Sequence, residues 1–391
     1  MKRLFLVLCA LAVCWSGWAS AQPMPQPPEI AARSYLLIDL TSDQELAVKD
    51  ADTPVPPASL TKLMTAYLVF DALRVGKLEL TQKLPVSALA QRQPGSRMFL
   101  QAGSEVPVED LIKGLLVQSG NDAAITLAEG VAGGVERFVQ LMNEQAQMLG
   151  MKSSRFLNPT GLTQAGHEST ARDLAVLATR LLRDFPDDAR YFAIQKYRYE
   201  GTPPANDSNR NLLLFRDPTV DGLKTGHTEA AGYCMIATAQ RPFPNLGPEG
   251  RMGARRLLAV VLGADSENAR ATETQKLLNW GYTAFEAVKL FDADQAVLSP
   301  AVWKGQSAHA RLGRPRPVVV TVPAGSAPRL RVQAVRPDPL VAPLAKGQQA
   351  GTLKVYIGER TLAQIPLLAL DAVDQAGLLG RAWDAFRLWI Q

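Results

Sequence analysis

Three short clusters in this chain set a hydroxyl beside an amine or a carboxamide. In Pro57-Ala58-Ser59-Leu60-Thr61-Lys62 a serine and a lysine stand three residues apart. Residues at i and i+3 share a helical face, so the amine can reach the hydroxyl. A serine hydroxyl is a weak nucleophile until a neighbouring base takes its proton. Lysine is such a base only when burial or nearby positive charge lowers its pKa. Alone, the pair says little, because average composition yields about one such spacing by chance in a chain this long.

The second cluster, Ser119-Gly120-Asn121, follows the apolar run Leu115-Leu116-Val117. Ser119 is suited to relay a proton, and Asn121 to hold a substrate amide by both donor and acceptor. The third, Lys224-Thr225-Gly226-His227, closes the run Val220-Asp221-Gly222-Leu223. Lys224 offers a charge for a carboxylate and Thr225 a hydroxyl beside it. Gly226 lets a ligand backbone approach a strand edge. The backbone N–H groups of Ser59 and His227 are a candidate oxyanion pair.

Other chemistries are poorly provided for. A Ser-His-Asp hydrolase is disfavoured: there is no G-x-S-x-G, and only His167, His227 and His309 are available. Three His and three Cys leave little for a metal site, and neither metal nor cofactor is expected. Cys234 lies on an apolar strand and is expected to be a buried, inert thiol.

The elements that must position these clusters follow from periodicity. Arg33–Val48 reads as two strands, with Ser34–Ile38 β-rich and Thr41-Ser42-Asp43 marking the turn. Ser59–Leu73 reads as a helix with Leu63, Tyr67 and Phe70 on one face. Further helices are expected at 108–116, 123–132, 135–149 and 171–182, then strands at 219–225, 233–239 and 257–262. A helix over 269–286 has Ser266 as its cap. Strands at both ends with helices between make one α/β unit whose sheet is built from terminal segments. After Phe291 the composition shifts to short strands at 318–322, 330–335, 352–357 and 364–370, divided by Pro and Gly turns.

The two ends read as addresses. Lys2 and Arg3, the apolar run Leu4–Trp18 and Ala19-Ser20-Ala21 form the three parts of a secretory signal peptide cut after Ala21. Its removal would take Cys9 and Cys14, leave Cys234 alone, and lower the net charge from +5 to +3. That modest excess is not clustered, so nucleic acid is not an expected partner. At 100° per residue, Leu378, Leu379, Ala382, Trp383, Ala385, Phe386, Trp389 and Ile390 fall within an arc of about 160°. Trp and Phe on that arc with Arg387 and Arg381 opposite fit a helix lying in a membrane surface.

S-x-x-K, S-x-N and K-T-G in this order are the signature of penicillin-binding proteins and related β-lactamases. The runs Leu116–Ala123, Asp221–Thr228 and Ser266–Arg270 are similar to serine D-alanyl-D-alanine carboxypeptidases of the low-molecular-mass penicillin-binding type. The resemblance covers nearly the whole chain after the leader. It implies an α/β (α+β) serine β-lactamase/transpeptidase-like catalytic domain with a helical subdomain over 22–290. A small all-β domain over 291–372 and an amphipathic membrane-anchor helix over 373–391 would follow. It implies removal of the terminal D-Ala from peptidoglycan pentapeptide stems, with β-lactams acylating the same serine. Ser59 would be acylated, Lys62 would be its base and Ser119 would assist proton transfer to the departing D-Ala. Lys224 and Thr225, with Arg210 nearby, would bind the terminal carboxylate. The enzyme would be exported and held at the outer face of the cytoplasmic membrane.

Three alternatives use the same motifs. A class A β-lactamase needs a deacylating Glu, and none stands in Phe156-Leu157-Asn158-Pro159. The others are a D,D-endopeptidase and a catalytically weak penicillin-binding scaffold.

Overall fold

The computed structural model describes residues 24–247 and 250–389. The expected leader, with Cys9 and Cys14, lies outside them, as do Ile390 and Gln391.

A five-stranded antiparallel sheet runs Gln44–Lys49, Ser34–Asp39, Gly253–Ala264, Gly232–Phe243, Val220–Thr228. It is assembled from both ends of the unit, as expected, and the third motif forms its edge strand. Side chains alternate across a strand, and here both faces are covered. Leu258, Val260 and Leu262 join Leu36, Leu223 and Ile236 under the helical subdomain. Leu257, Ala259 and Val261 join Leu37 against Leu277 and Leu278 of the Glu267–Ala284 helix. Ser266 caps that helix through its side chain, which accepts from Ala269 N.

The helix after Ser59 spans Lys62–Arg74 and departs from the one-faced expectation. Residues 62–70 are all buried, because the helix runs through the middle of the subdomain rather than along its surface. A helix apolar nearly all round is an interior helix.

The expected helix over 269–286 ends earlier, at Ala284, and Phe285–Phe291 is a strand paired with Val318–Pro323. Phe285 and Ala287 are buried on alternate positions, the period of a strand. A second five-stranded sheet runs Leu330–Val335, Gln349–Ile357, Arg360–Ala369, Leu312–Gly313, Ala296–Leu298 around its own core. A buried pair ties this unit to the first sheet. Arg255 Nε donates to Asp39 Oδ2 at 2.8 Å, both side chains being fully buried, and Thr321 Oγ1 donates to the same carboxylate oxygen at 2.7 Å.

The last helix, Leu378–Trp389, turns its polar side to the β unit. Asp384 Oδ2 accepts from Lys304 N at 2.6 Å, and Arg387 lies 5.4 Å over the Trp303 ring. Its aromatic and aliphatic side chains face away: Leu379 is 89% exposed, Trp383 62% and Trp389 82%. No helix among the described residues is long and apolar enough to cross a membrane.

Candidate active site

The three clusters converge on Ser59. Its 3₁₀ turn, Ala58–Thr61, opens with Ala58 at a φ of 48° and leads directly into the buried helix. Two glycines press on this turn from separate segments. A Cβ on Gly226 would lie 3.1 Å from Ser59 N, and one on Gly161 would lie 1.8 Å from Ala58 O. At Gly226 the missing side chain also lets the edge strand come up against the Ser59 turn.

Lys62 is fully buried, and its Nζ lies within hydrogen-bond distance of three oxygens: Ser59 Oγ at 3.0 Å, Asn121 Oδ1 at 2.7 Å and Thr160 O at 2.6 Å. Burial, aided by the charge of Arg210 and opposed by Asp122, lowers its pKa to about 7. A neutral amine has two N–H groups and one lone pair. The carbonyl oxygens of Asn121 and Thr160 only accept, so they take the two N–H groups, and the lone pair is left for the Ser59 O–H. That arrangement can deprotonate the hydroxyl.

Ser119 follows a helix that widens into a π turn over Gly114–Gln118 and is itself left-handed, with φ 61° and ψ 36°. Such a conformation costs a non-glycine residue on the order of 1–3 kcal/mol and is common where function requires it. It brings Ser119 Oγ to 2.9 Å from Lys224 Nζ, which also donates to Thr225 O at 2.9 Å. Lys224 is buried, and burial together with Lys62, Arg270 and Arg210 pushes its pKa well down.

Asn121 is already half used by the protein: besides receiving Lys62, its Nδ2 donates to Pro94 O at 2.6 Å. One N–H and one lone pair are left for a ligand. Thr225 is buried beside the cleft. The His227 ring stacks on Tyr233 at 3.9 Å between centroids. Arg210 is exposed, held by Asn206 Oδ1 at 3.1 Å, and lines both cavities described next.

Those cavities, of about 350 and 270 Å³, meet at Ser59. The smaller is lined by Ser119, Thr225, Gly226 and Arg270; Arg270 donates to Arg210 O at 3.2 Å and pairs with Glu267 at 2.7 Å. The larger is lined by Asn121, Thr160, Gly161 and Arg97.

Thr160, Asp122 and Arg270 were not singled out from the sequence. Thr160 acts through its backbone. Asp122 is buried next to Asn121 and clamps Met98 N and Leu100 N, both at 3.0 Å. Arg270 stands in the Ser266–Arg270 run, where its residue type alone assigns it no role. The Phe156–Pro159 stretch carries no carboxylate; Pro159 O accepts from Thr65 Oγ1, and the next carbonyl, Thr160 O, accepts from Lys62 Nζ. His167 is buried with Nε2 2.9 Å from Thr61 Oγ1, and Cys234 is buried with its thiol pushed up by burial. Among the described residues no cluster of His, Cys, Asp or Glu could hold a metal ion.

Comparison with known proteins agrees with this geometry. Residues 21–266 match the family model for D-alanyl-D-alanine carboxypeptidase, and residues 285–375 match that for the C-terminal domain of penicillin-binding protein 5. The chain is 38% identical to D-alanyl-D-alanine carboxypeptidase DacC of Escherichia coli, covering 93% of this chain and 90% of that one. Penicillin-binding protein 5 from Haemophilus influenzae superposes with a TM-score of 0.81 at 33% identity, covering 90% of this chain and all of that one. Penicillin-binding protein D2 from Listeria monocytogenes, solved in a cefotaxime-bound form, covers 66% of this chain and all of that one at 31% identity, with a TM-score of 0.58. With three motifs joined at one serine and matches across both units, this chain belongs to the serine D-alanyl-D-alanine carboxypeptidase family of low-molecular-mass penicillin-binding proteins.

Proposed function

We propose that the chain removes the terminal D-Ala from peptidoglycan pentapeptide stems through an acyl-enzyme on Ser59. The three-way hold on Lys62 Nζ carries this reading, because it leaves a neutral amine lone pair aimed at the serine hydroxyl. Lys62 accepts the Ser59 proton as Ser59 Oγ bonds to the carbonyl carbon of the scissile D-Ala–D-Ala peptide. The carbonyl becomes an oxyanion stabilised by the N–H groups of Ser59 and His227. Its collapse breaks the C–N bond, and the departing amine receives the proton from Lys62 by way of Ser119. Water then hydrolyses the ester and frees the shortened stem.

The terminal carboxylate binds at Lys224 and Thr225, beside Gly226, with Arg210 at the rim. Burial and neighbouring cations disfavour the Lys224 ammonium, and a substrate carboxylate offsets them. β-Lactams acylate Ser59 by the same route.

The leader over 1–21, the catalytic unit over 22–290, the β unit over 291–372 and the anchor over 373–391 are our proposed division. The protein would act in the periplasm. A polar helix face docked on Lys304 and Trp303 with the apolar face turned outward supports attachment to a membrane surface, since packing on its own core would reverse that orientation.

Residues 22–391 incubated with a muramyl pentapeptide should release D-Ala, and a Ser59→Ala variant should not. No release from the unmodified protein would sink the activity; release by the variant would sink the assignment of Ser59.

A further inference from the structure

The larger cavity at Ser59 contains Arg97 and Arg210 but no acidic side chain. Beyond the wall formed by Arg97 and Phe99 lies a second hollow of about 500 Å³, lined by Arg92, Arg97, Gln91 and Gln101, again without an acid. Arg97 therefore separates two basic hollows that run on from the nucleophile.

Its loop is firmly held. Asp122 clamps the amides of Met98 and Leu100, Asn206 Nδ2 donates to Arg97 O at 2.8 Å, and Thr202 Oγ1 donates to Met98 O at 2.9 Å. Phe99 is held at a φ of 68°, and the Arg97 guanidinium lies 5.0 Å over its ring. Yet the Arg97 head has no carboxylate to pair with among the described residues, and its buried Nε has no hydrogen-bond partner. A planar five-donor cation fixed on a clamped loop without a counter-ion suits a carboxylate supplied by a ligand.

Direction follows from the proposed function, on which this step rests. With the terminal carboxylate at Lys224 and Thr225, the peptide N-terminal to the scissile bond leaves Ser59 through the larger cavity. We propose that Arg97 reads a free carboxylate on that acyl side, making it a specificity-determining residue for stems that carry an acid, rather than an amide, upstream of D-Ala-D-Ala.

Paired peptides test this: each ends in D-Ala-D-Ala and carries glutamate or glutamine at the first, second or third position before that pair. In the unmodified protein one position should favour glutamate by about tenfold in kcat/KM, chiefly through KM. Rising salt should shrink that ratio. In Arg97→Gln the ratio should fall to about one, whatever happens to the rate on the neutral peptide, and Arg97→Lys should restore part of it. Covalent labelling by a fluorescent penicillin establishes that each variant is folded. A ratio near one at all three positions in the unmodified protein overturns the proposal, as does a preference that survives Arg97→Gln. Failure to release D-Ala from any peptide would instead overturn the carboxypeptidase reading.

Discussion

Asn121 Oδ1 lies 2.7 Å from Lys62 Nζ, so the second motif orients the base of the first. The two residues are 59 positions apart in the chain, and the contact takes one N–H of the neutral amine, which helps turn its single lone pair toward Ser59. The base is prepared by burial and by directed acceptors rather than by a neighbouring carboxylate.

Acylation should therefore rise with pH and level off above about 7, where Lys62 loses its proton. Below that value Lys62 is an ammonium with no lone pair to offer. Asn121→Asp would set a negative charge beside it, favour the ammonium, and move the acid limb of the profile upward. Second-order acylation by a chromogenic β-lactam, followed between pH 5 and 9, reads the acid limb in both proteins. A flat profile, or a downward shift in the variant, would rule out Lys62 as the titrating base.

Gly161→Ala should damage the nucleophile's turn more than Gly226→Ala. The added Cβ would overlap Ala58 O at 1.8 Å on a residue whose φ is 84°, whereas at Gly226 the nearest atom is 3.1 Å away. We expect Gly161→Ala to cost roughly 3 kcal/mol in stability or to slow acylation by more than tenfold as the turn moves. Gly226→Ala should be milder in stability but still slow acylation. Denaturation midpoints and penicillin-labelling rates distinguish them, and equal behaviour would contradict the steric account.

The chemistry was legible because hydroxyls and amines at short spacing are side-chain facts. What stayed hidden acts through the backbone or through long-range packing. Nothing in the residue type of Thr160 announces that its carbonyl will receive Lys62. Asp122 reads as an ordinary helix-start acid until the fold brings Met98 and Leu100 against it. The Lys62–Arg74 helix looked one-faced because Thr65 and Lys62 count as polar, although both are buried with their polar atoms satisfied. Phe285–Phe291 was hidden for another reason: no Gly or Pro separates it from the preceding helix, so only the change in burial period reveals a strand.

His167 should make the fold acid-sensitive without being catalytic. Leu157 N donates to its Nδ1 at 3.3 Å, so Nε2 carries the proton and faces Thr61 Oγ1 at 2.9 Å. Burial lowers its pKa to about 4 from 6.5. The folded state thus favours the neutral ring, and the unfolded chain binds the extra proton between those values. The stabilisation is complete above about pH 6.5 and is lost as pH falls toward 4, by on the order of 3 kcal/mol. His167→Gln should flatten that part of the stability curve in urea titrations at pH 7.5, 5.5 and 4.5. An unchanged slope would place the acid sensitivity elsewhere.

The terminal helix yields a prediction separable from catalysis. Its docked side is polar, and its outward side presents Leu378, Leu379, Trp383, Phe386 and Trp389. Deleting residues 376–391 should abolish co-flotation with anionic vesicles, because the apolar face is the part that enters the headgroup region. Trp383→Ser with Trp389→Ser should weaken flotation strongly while retaining the docked polar side. D-Ala release in solution should be unaffected by either change, since the Ser59–Lys62–Thr160 contacts lie in the other unit. Vesicle binding that persists after the deletion would refute the anchor. Binding lost only when Arg381 and Arg387 are neutralised, with both Trp in place, would make the attachment electrostatic rather than an insertion of the apolar face.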